Sequence, residues 1–143
     1  MKIGELAQAA QCTVETVRYY EKAGLLEEPA RTSANYRSYG PAHVERLKFI
    51  RNCRALDMTH DEIRALFVLS EQPANDCAGV NNLLDEHIAH VDIRIAELTQ
   101  LKEQLGELRL RCQHEQSMDA CGILKGLASM EPEFRQEKHT HLG

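Results

Sequence analysis

The chemistry open to this chain is mostly that of sulfur and imidazole, since 143 residues hold five cysteines and seven histidines. Cys77, Cys112 and Cys121 flank turns rather than fill a core stripe, although Cys112 also continues an apolar helical period, and this leaves their thiols available as thiolate ligands. Three thiolates suit a soft divalent cation: Pb(II), Cd(II) or Hg(II), with Zn(II) at the borderline. Cys12, in a turn, and Cys53, on the same stripe as Ile50, read as small buried hydrophobes instead. An iron–sulfur cluster needs four close cysteines, which the tail lacks. His87 and His90, at i and i+3, can chelate if they share a helix, and His139 and His141 near the C-terminus could join them in a secondary, nitrogen-rich metal site. The simpler reading of these histidines is that they are solvated.

Several function classes fall away on composition. No phosphate-binding loop, Ser/His/Asp arrangement or paired-carboxylate cleft is visible, so an enzyme is not expected. No apolar run is long enough for a signal peptide or a membrane span, which predicts a cytoplasmic protein whose cysteines stay reduced. The net charge of −5 argues weakly against nucleic acid, but its distribution matters more. Residues 1–75 carry ten Lys/Arg against ten Asp/Glu, and residues 76–143 carry seven against twelve. Between positions 31 and 54, six basic residues (Arg31, Arg37, Arg46, Lys48, Arg51, Arg54) face only Glu45. A local positive face can hold phosphate on an acidic chain because screening limits each charge to about 10 Å.

The elements that would position these groups are mainly helical. Apolar spacing predicts a helix from Ile3 to Ala9, a break at Gln11-Cys12, and a second helix from Val14 to Ala23, capped by Thr13 and ended by Gly24. Two short helices on a tight turn make a helix-turn-helix. The cluster Pro29 to Asn35 lies between two short extended stretches and predicts a hairpin, or wing, with Tyr36, Arg37 and Tyr39 at strand period. A helix follows from Pro41 to Leu56, and Thr59 with Glu62 forms a capping box for another, Asp61 to Leu69. Gln72 to Asp76 is a linker. From about Val80 to Cys112, Leu84, Ile88, Val91, Ile95 and Leu98 recur at steps of four and three, and Leu101, Leu105, Leu108 and Cys112 resume after a phase slip. Such a helix, roughly 30 residues and about 45 Å long, cannot cover its own apolar stripe and needs a second copy of the chain. A turn, Gln113 to Ala120, and a short helix, Gly122 to Leu127, close the ordered part.

Five strings, in this order, carry a family likeness: Ile3-Gly4-Glu5-Leu6-Ala7, Val17-Arg18-Tyr19-Tyr20-Glu21, Gly24-Leu25-Leu26, Asn35-Tyr36-Arg37-Ser38-Tyr39 and Leu47-Lys48-Phe49-Ile50. Together they resemble the N-terminal domain of MerR-family regulators, and the long helix and cysteine tail extend the resemblance over about 130 residues. The strings around Asp76-Cys77-Ala78, Leu84-Asp85-Glu86-His87-Ile88 and Cys121-Gly122-Ile123-Leu124 look most like the lead- and cadmium-responsive members. The resemblance implies a winged helix-turn-helix domain over 1–75, a dimerising coiled-coil helix over 76–112, a metal-binding loop and short helix over 113–131, and a disordered histidine-containing tail over 132–143.

It also implies that a homodimer sits on double-stranded promoter DNA with RNA polymerase, and that binding of a soft divalent metal makes it bend and untwist an overlong spacer. The expected DNA contacts are Thr13, Glu15, Thr16, Arg18, Tyr19 and Tyr20, with one tyrosine turned inward, and Arg31, Tyr36 and Arg37 of the wing as phosphate clamps. Lys48, Arg51 and Arg54 are either further contacts or a solvated face, and Glu21 is expected to pair locally. The antiparallel coil that the resemblance implies would bring Cys77 of one subunit to Cys112 and Cys121 of the other. The metal order is Pb(II) or Cd(II), then Hg(II), then Zn(II), for which His114 in the loop is the only support. Related copper-group sensors carry serine in place of Cys77. A cytosolic thiolate buffer and a thiol redox switch are the rival classes.

Overall fold

A computed structural model describes residues 1–72 and 76–131. The chain divides into two compact units, Met1–Leu83 and Leu84–Gly143.

The first unit begins with α1 (Ile3–Ala9) and α2 (Val14–Lys22). Gln11 turns the chain between them at φ 56°, and the Thr13 hydroxyl accepts the Thr16 N–H at 3.1 Å, the expected cap. Gly24 stops α2 at φ 77°, where a Cβ would be strained. Strands β1 (Ala30–Arg31) and β2 (Arg37–Ser38) pair antiparallel, Ala30 opposite Ser38 and Arg31 opposite Arg37. Asn35, at φ 66°, carries the turn at the tip of this wing.

Next come α3 (Pro41–Ala55), with Pro41 in its first turn, and α4 (His60–Ser70). Asp57 turns between them at φ 59°. The capping box forms as the sequence predicts: Glu62 N–H donates to the Thr59 hydroxyl at 3.0 Å, and Thr59 N–H to the Glu62 carboxylate at 2.9 Å. The core gathers Leu6, Ala10, Val17, Leu25, Leu47, Ile50, Met58 and Ile63, which are 0–2% exposed, with Tyr20, Tyr39 and Cys53 around them. Truncating one such aliphatic residue to alanine costs about 2–5 kcal/mol. Four arginines fasten helix ends to this core through main-chain carbonyls. Arg46 donates to Leu25 at 2.7 Å, Arg51 to Ala10 at 3.1 Å, Arg54 to Met58 at 2.5 Å, and Arg64 to Ala23.

The long helix α5 spans Ala78–Arg109, 32 residues or about 48 Å. It starts two residues earlier and ends three residues earlier than its apolar period suggests. Its last turn tightens, with Arg111 N–H on the Leu108 carbonyl at 3.2 Å and Cys112 N–H on the Arg109 carbonyl at 3.3 Å. Cys112 therefore leaves the helix and lies in the following turn, where the sequence period had placed it on the seam. In the second unit the seam residues Leu84, Ile88, Ile95, Leu98 and Leu105 are 42–58% exposed. A single 3-10 turn, Met118–Ala120, leads into α6 (Gly122–Ser129). No helix among the described residues is long and apolar enough to cross a membrane.

Candidate nucleic-acid interface and metal centre

In the first unit, residues far apart in sequence line one open cleft: Lys2 and Ile3 at the start of α1, Arg18 of α2, and Arg31, Asn35, Tyr36 and Arg37 of the wing. Four cations and no carboxylate among these lining residues make the cleft positively charged, the character that a phosphate backbone requires of a partner. Arg18, Arg31, Tyr36 and Arg37 were expected on sequence grounds. Lys2 was not, because nothing in its neighbourhood indicates that the wing folds back to meet it. The contact has a backbone counterpart, since the terminal ammonium of Met1 donates to the Tyr39 carbonyl at 2.7 Å.

Along α2, Glu15, Arg18 and Tyr19 are exposed, as is the cap Thr13, while Thr16 is half-buried with its hydroxyl 2.9 Å from that of Thr13. Tyr19 and Tyr20 split as adjacent helical positions must. Tyr19 is 56% exposed and Tyr20, at 9%, packs in the core. Tyr20 was among the expected DNA contacts, but its ring serves the domain interior, where burial also raises its phenol pKa.

Glu21 pairs across 16 residues instead of within its own helix. Arg37 reaches it at 2.9 Å, and the Tyr39 hydroxyl donates to its other oxygen. This carboxylate, 7% exposed, anchors the wing to α2 while Arg37 stays 40% open. Of the three basic residues assigned to either DNA or solvent, Lys48 is exposed, whereas Arg51 and Arg54 are occupied in helix-end hydrogen bonds. A second cleft, lined by Tyr19, Arg54, Thr59, His60, Asp61 and Arg64, lies where α2 meets α4. There burial, with Arg54 and Arg64 alongside, pushes the His60 pKa down.

In the second unit, the turn after α5 and the start of α6 bring Cys112 and Cys121 near each other. Cys121 occupies the N-cap position of α6, so its thiol lies near the unsatisfied N–H groups of the first turn without forming a capping hydrogen bond. The backbone N–H of Leu124 first, then that of Ile123, then the Cys112 side chain hold its thiol below the ordinary value, against some desolvation. Cys112 also donates to the His114 carbonyl at 3.5 Å, and Arg109 fixes the turn by donating to the Cys112 carbonyl at 2.6 Å. A pair of adjacent thiols with one favoured as thiolate is a donor set that fits a soft cation.

Cys77 is exposed, immediately before α5, so Cys77 and Cys112 flank opposite ends of one long helix. Cys12 and Cys53 are packed, with thiol pKa values raised chiefly by burial, as expected of inert cysteines. His87 is 6% exposed and His90 half-buried, with ring centroids 6.4 Å apart, so the solvated reading of this pair does not hold. His139 and His141 lie outside the described residues.

Comparison with known proteins places these features. The family model described as MerR HTH family regulatory protein matches residues 1–68, and that described as MerR, DNA binding, matches residues 44–108. The chain is 50% identical over 109 residues to the HTH-type transcriptional regulator ZntR homolog of Haemophilus influenzae, covering 76% of this chain and 81% of that protein. It is 36% identical over 128 residues to the HTH-type transcriptional regulator ZntR of Escherichia coli K12, covering 88% and 91%. Among solved structures, the transcription regulator PbrR691 from Ralstonia metallidurans CH34 in complex with lead(II) matches with a TM-score of 0.80 at 50% identity, covering 89% of this chain and 98% of that one. With its helix-turn-helix, wing and long C-terminal helix, the chain belongs to the MerR family of DNA-binding transcriptional regulators.

Proposed function

We propose that this regulator is a metal sensor that acts as a homodimer and responds to Pb(II) or Cd(II), with Cys112 and Cys121 of one subunit and Cys77 of the partner subunit as ligands. The observation that carries the reading is the close approach of residues 111 and 122, which sets Cys112 beside Cys121 at the start of α6. The similarity to PbrR691, solved with lead(II), supports the choice of metal. The split between subunits follows from α5. About 48 Å of helix separates the turn bearing Cys77 from that bearing Cys112, and the exposed seam of α5 is the surface an antiparallel partner would cover. A ligand set completed only by two subunits couples metal binding to their mutual geometry, and hence to the spacing of the two DNA-binding units.

On this reading Arg18, Arg31, Tyr36 and Arg37, with Lys2, grip backbone phosphate, and Thr13, Glu15, Thr16 and Tyr19 present the exposed side of α2 to the major groove. The metal-loaded dimer distorts the promoter so that RNA polymerase engages both of its recognition elements. His87 and His90, whose ring centroids lie 6.4 Å apart, are the candidates for a weaker secondary metal site. Three thiolates also accommodate Hg(II), and the His114 imidazole in the loop would add a nitrogen donor for Zn(II).

Transcription in vitro from the regulator's own promoter, across Pb(II), Cd(II), Hg(II), Zn(II) and Cu(I), tests the assignment. Activation by Pb(II) or Cd(II) at the lowest concentration is expected. Cys77→Ser should lose activation yet retain DNA binding, which a simple thiolate buffer would not predict. Response to Cu(I) alone would overturn the reading, and activation by oxidant without metal would replace it with a thiol switch.

A further inference from the structure

Two glycines of α6 lie against the end of α5 and the residue pair after it. They are Gly122 and Gly126, four residues apart and so one above the other on the helix. A Cβ placed on Gly122 would stand 2.3 Å from the Arg111 carbonyl oxygen and 3.1 Å from both the Arg111 carbonyl carbon and Cβ. A Cβ on Gly126 would meet the Arg111 Nη1 at 2.4 Å, Leu108 Cδ1 at 3.1 Å and Arg111 Cδ at 3.3 Å. The two glycines differ in kind. At Gly126 the nearest obstacle is the end of a long side chain that can swing aside. At Gly122 it is main chain, and relief requires the two backbones to part by about 1 Å to reach an ordinary carbon–oxygen contact.

Position in the chain turns this contact into a constraint on the thiols. Arg111 precedes Cys112 and Gly122 follows Cys121, so the backbone approach of residues 111 and 122 directly abuts both cysteines. Arg109, bonded to the Cys112 carbonyl, holds the same turn from the other side. We propose that Gly122 is the positioning residue of the Cys112–Cys121 pair: its missing Cβ lets the first turn of α6 close on the Arg111 carbonyl and sets the distance between the two sulfurs. The inference rests on the reading of these thiols as metal ligands, and it adds what presents them as a ready-made bidentate unit. A ligand pair loosened by about 1 Å is no longer preorganised and must recover its geometry at the expense of affinity.

The test uses the full chain with Gly122→Ala, Gly126→Ala, Cys112→Ser and Cys121→Ser. Metal-free protein is first treated with phenylarsine oxide. Two nearby thiols condense with it, forming two arsenic–sulfur bonds and releasing one water, so the rate reports the pair without any metal. Cd(II) alone is then titrated, read from the thiolate-to-cadmium charge-transfer absorption, and hydrogen exchange of the α6 amides reports whether that helix persists. Gly122→Ala should slow capture of the arsenical and weaken Cd(II) binding by about 10- to 100-fold, the scale of losing a ligand's support. Gly126→Ala should lose far less, and as a helix-interior substitution it also raises helix propensity. Loss of α6 protection confined to Gly122→Ala is the same result, since closing α6 on Arg111 is the role assigned.

Wild-type behaviour of Gly122→Ala, or equal losses in both glycine variants, overturns the inference. The metal-site reading fails separately, if Cys112→Ser and Cys121→Ser leave Cd(II) binding untouched. In that case arsenical capture still decides whether Gly122 positions the pair.

Discussion

Arg37 is fastened to Glu21 at 2.9 Å yet keeps 40% of its side chain open, so it serves both the wing and the basic cleft. Among the described residues the Arg31 side chain makes a 3.1 Å bond to the exposed Asn35 carbonyl and has less structure to lose. Arg31→Ala should therefore weaken binding to any duplex almost uniformly and lower the slope of log affinity against log salt by about 1. Fluorescence anisotropy at several salt concentrations measures this, and a loss confined to one sequence would mean that Arg31 reads bases. His60 titrates in the opposite sense from a salt-bridged histidine. Its folded pKa lies below the unfolded value through burial and the neighbouring Arg54 and Arg64, so the folded state binds the proton less well. Its contribution to stability is present above the ordinary histidine range and is lost as pH falls through and below that range. Melting temperatures of wild type and His60→Asn should diverge in wild type's disfavour as pH drops from 7 to 5, and parallel curves would contradict the assignment.

Among the elements, α4 is closed by a local device, whereas α5 presents an apolar seam. The reciprocal Thr59–Glu62 bonds satisfy two orphan donors at the start of α4, whose first turn also carries Asp61 and Glu62. Thr59→Ala should cost about 1 kcal/mol in denaturant unfolding, with Thr59→Asp recovering most of it. The seam of α5 has no such local remedy. Leu84, Ile88, Ile95, Leu98 and Leu105 remain 42–58% exposed along the helix, far more apolar surface than one 32-residue element can cover with its own side chains.

At the scale of the whole molecule, a metal site divided between subunits makes a prediction that a site within one chain does not. Cys77→Ser and Cys112→Ser should each abolish tight Cd(II) binding as homodimers. Mixed dimers of the two variants should regain one site of the two, because one end keeps an intact Cys77 opposite an intact Cys112 and Cys121. Cadmium stoichiometry on purified heterodimers measures this, and no recovery on mixing would place all ligands in one chain. Ile95→Glu with Leu98→Glu should make the protein monomeric in sedimentation and remove the tight site in the same step.

What the sequence determined by itself is local in physical origin. The Thr13 and Thr59 caps, the stop at Gly24, the wing and the unbroken run of α5 all depend on bonds spanning three to eight residues or on the φ preference of one residue, and these can be read along the chain. The ordered strings from Ile3 to Ile50 carried the family for the same reason. Contacts across longer separations were decided only by the tertiary structure. Tyr20 rather than Tyr19 faces the core, Glu21 holds Arg37 across 16 residues, and Lys2 joins the wing's arginines. Cys112 leaves the helical period when the last turn of α5 tightens, and Gly122 meets a main-chain carbonyl 11 residues earlier. Periodicity assigns a residue to a face, but packing against a distant backbone decides what that face touches. The three candidate cysteines could be named from their residue type and their places beside turns, whereas the close approach of Gly122 to the Arg111 carbonyl could not.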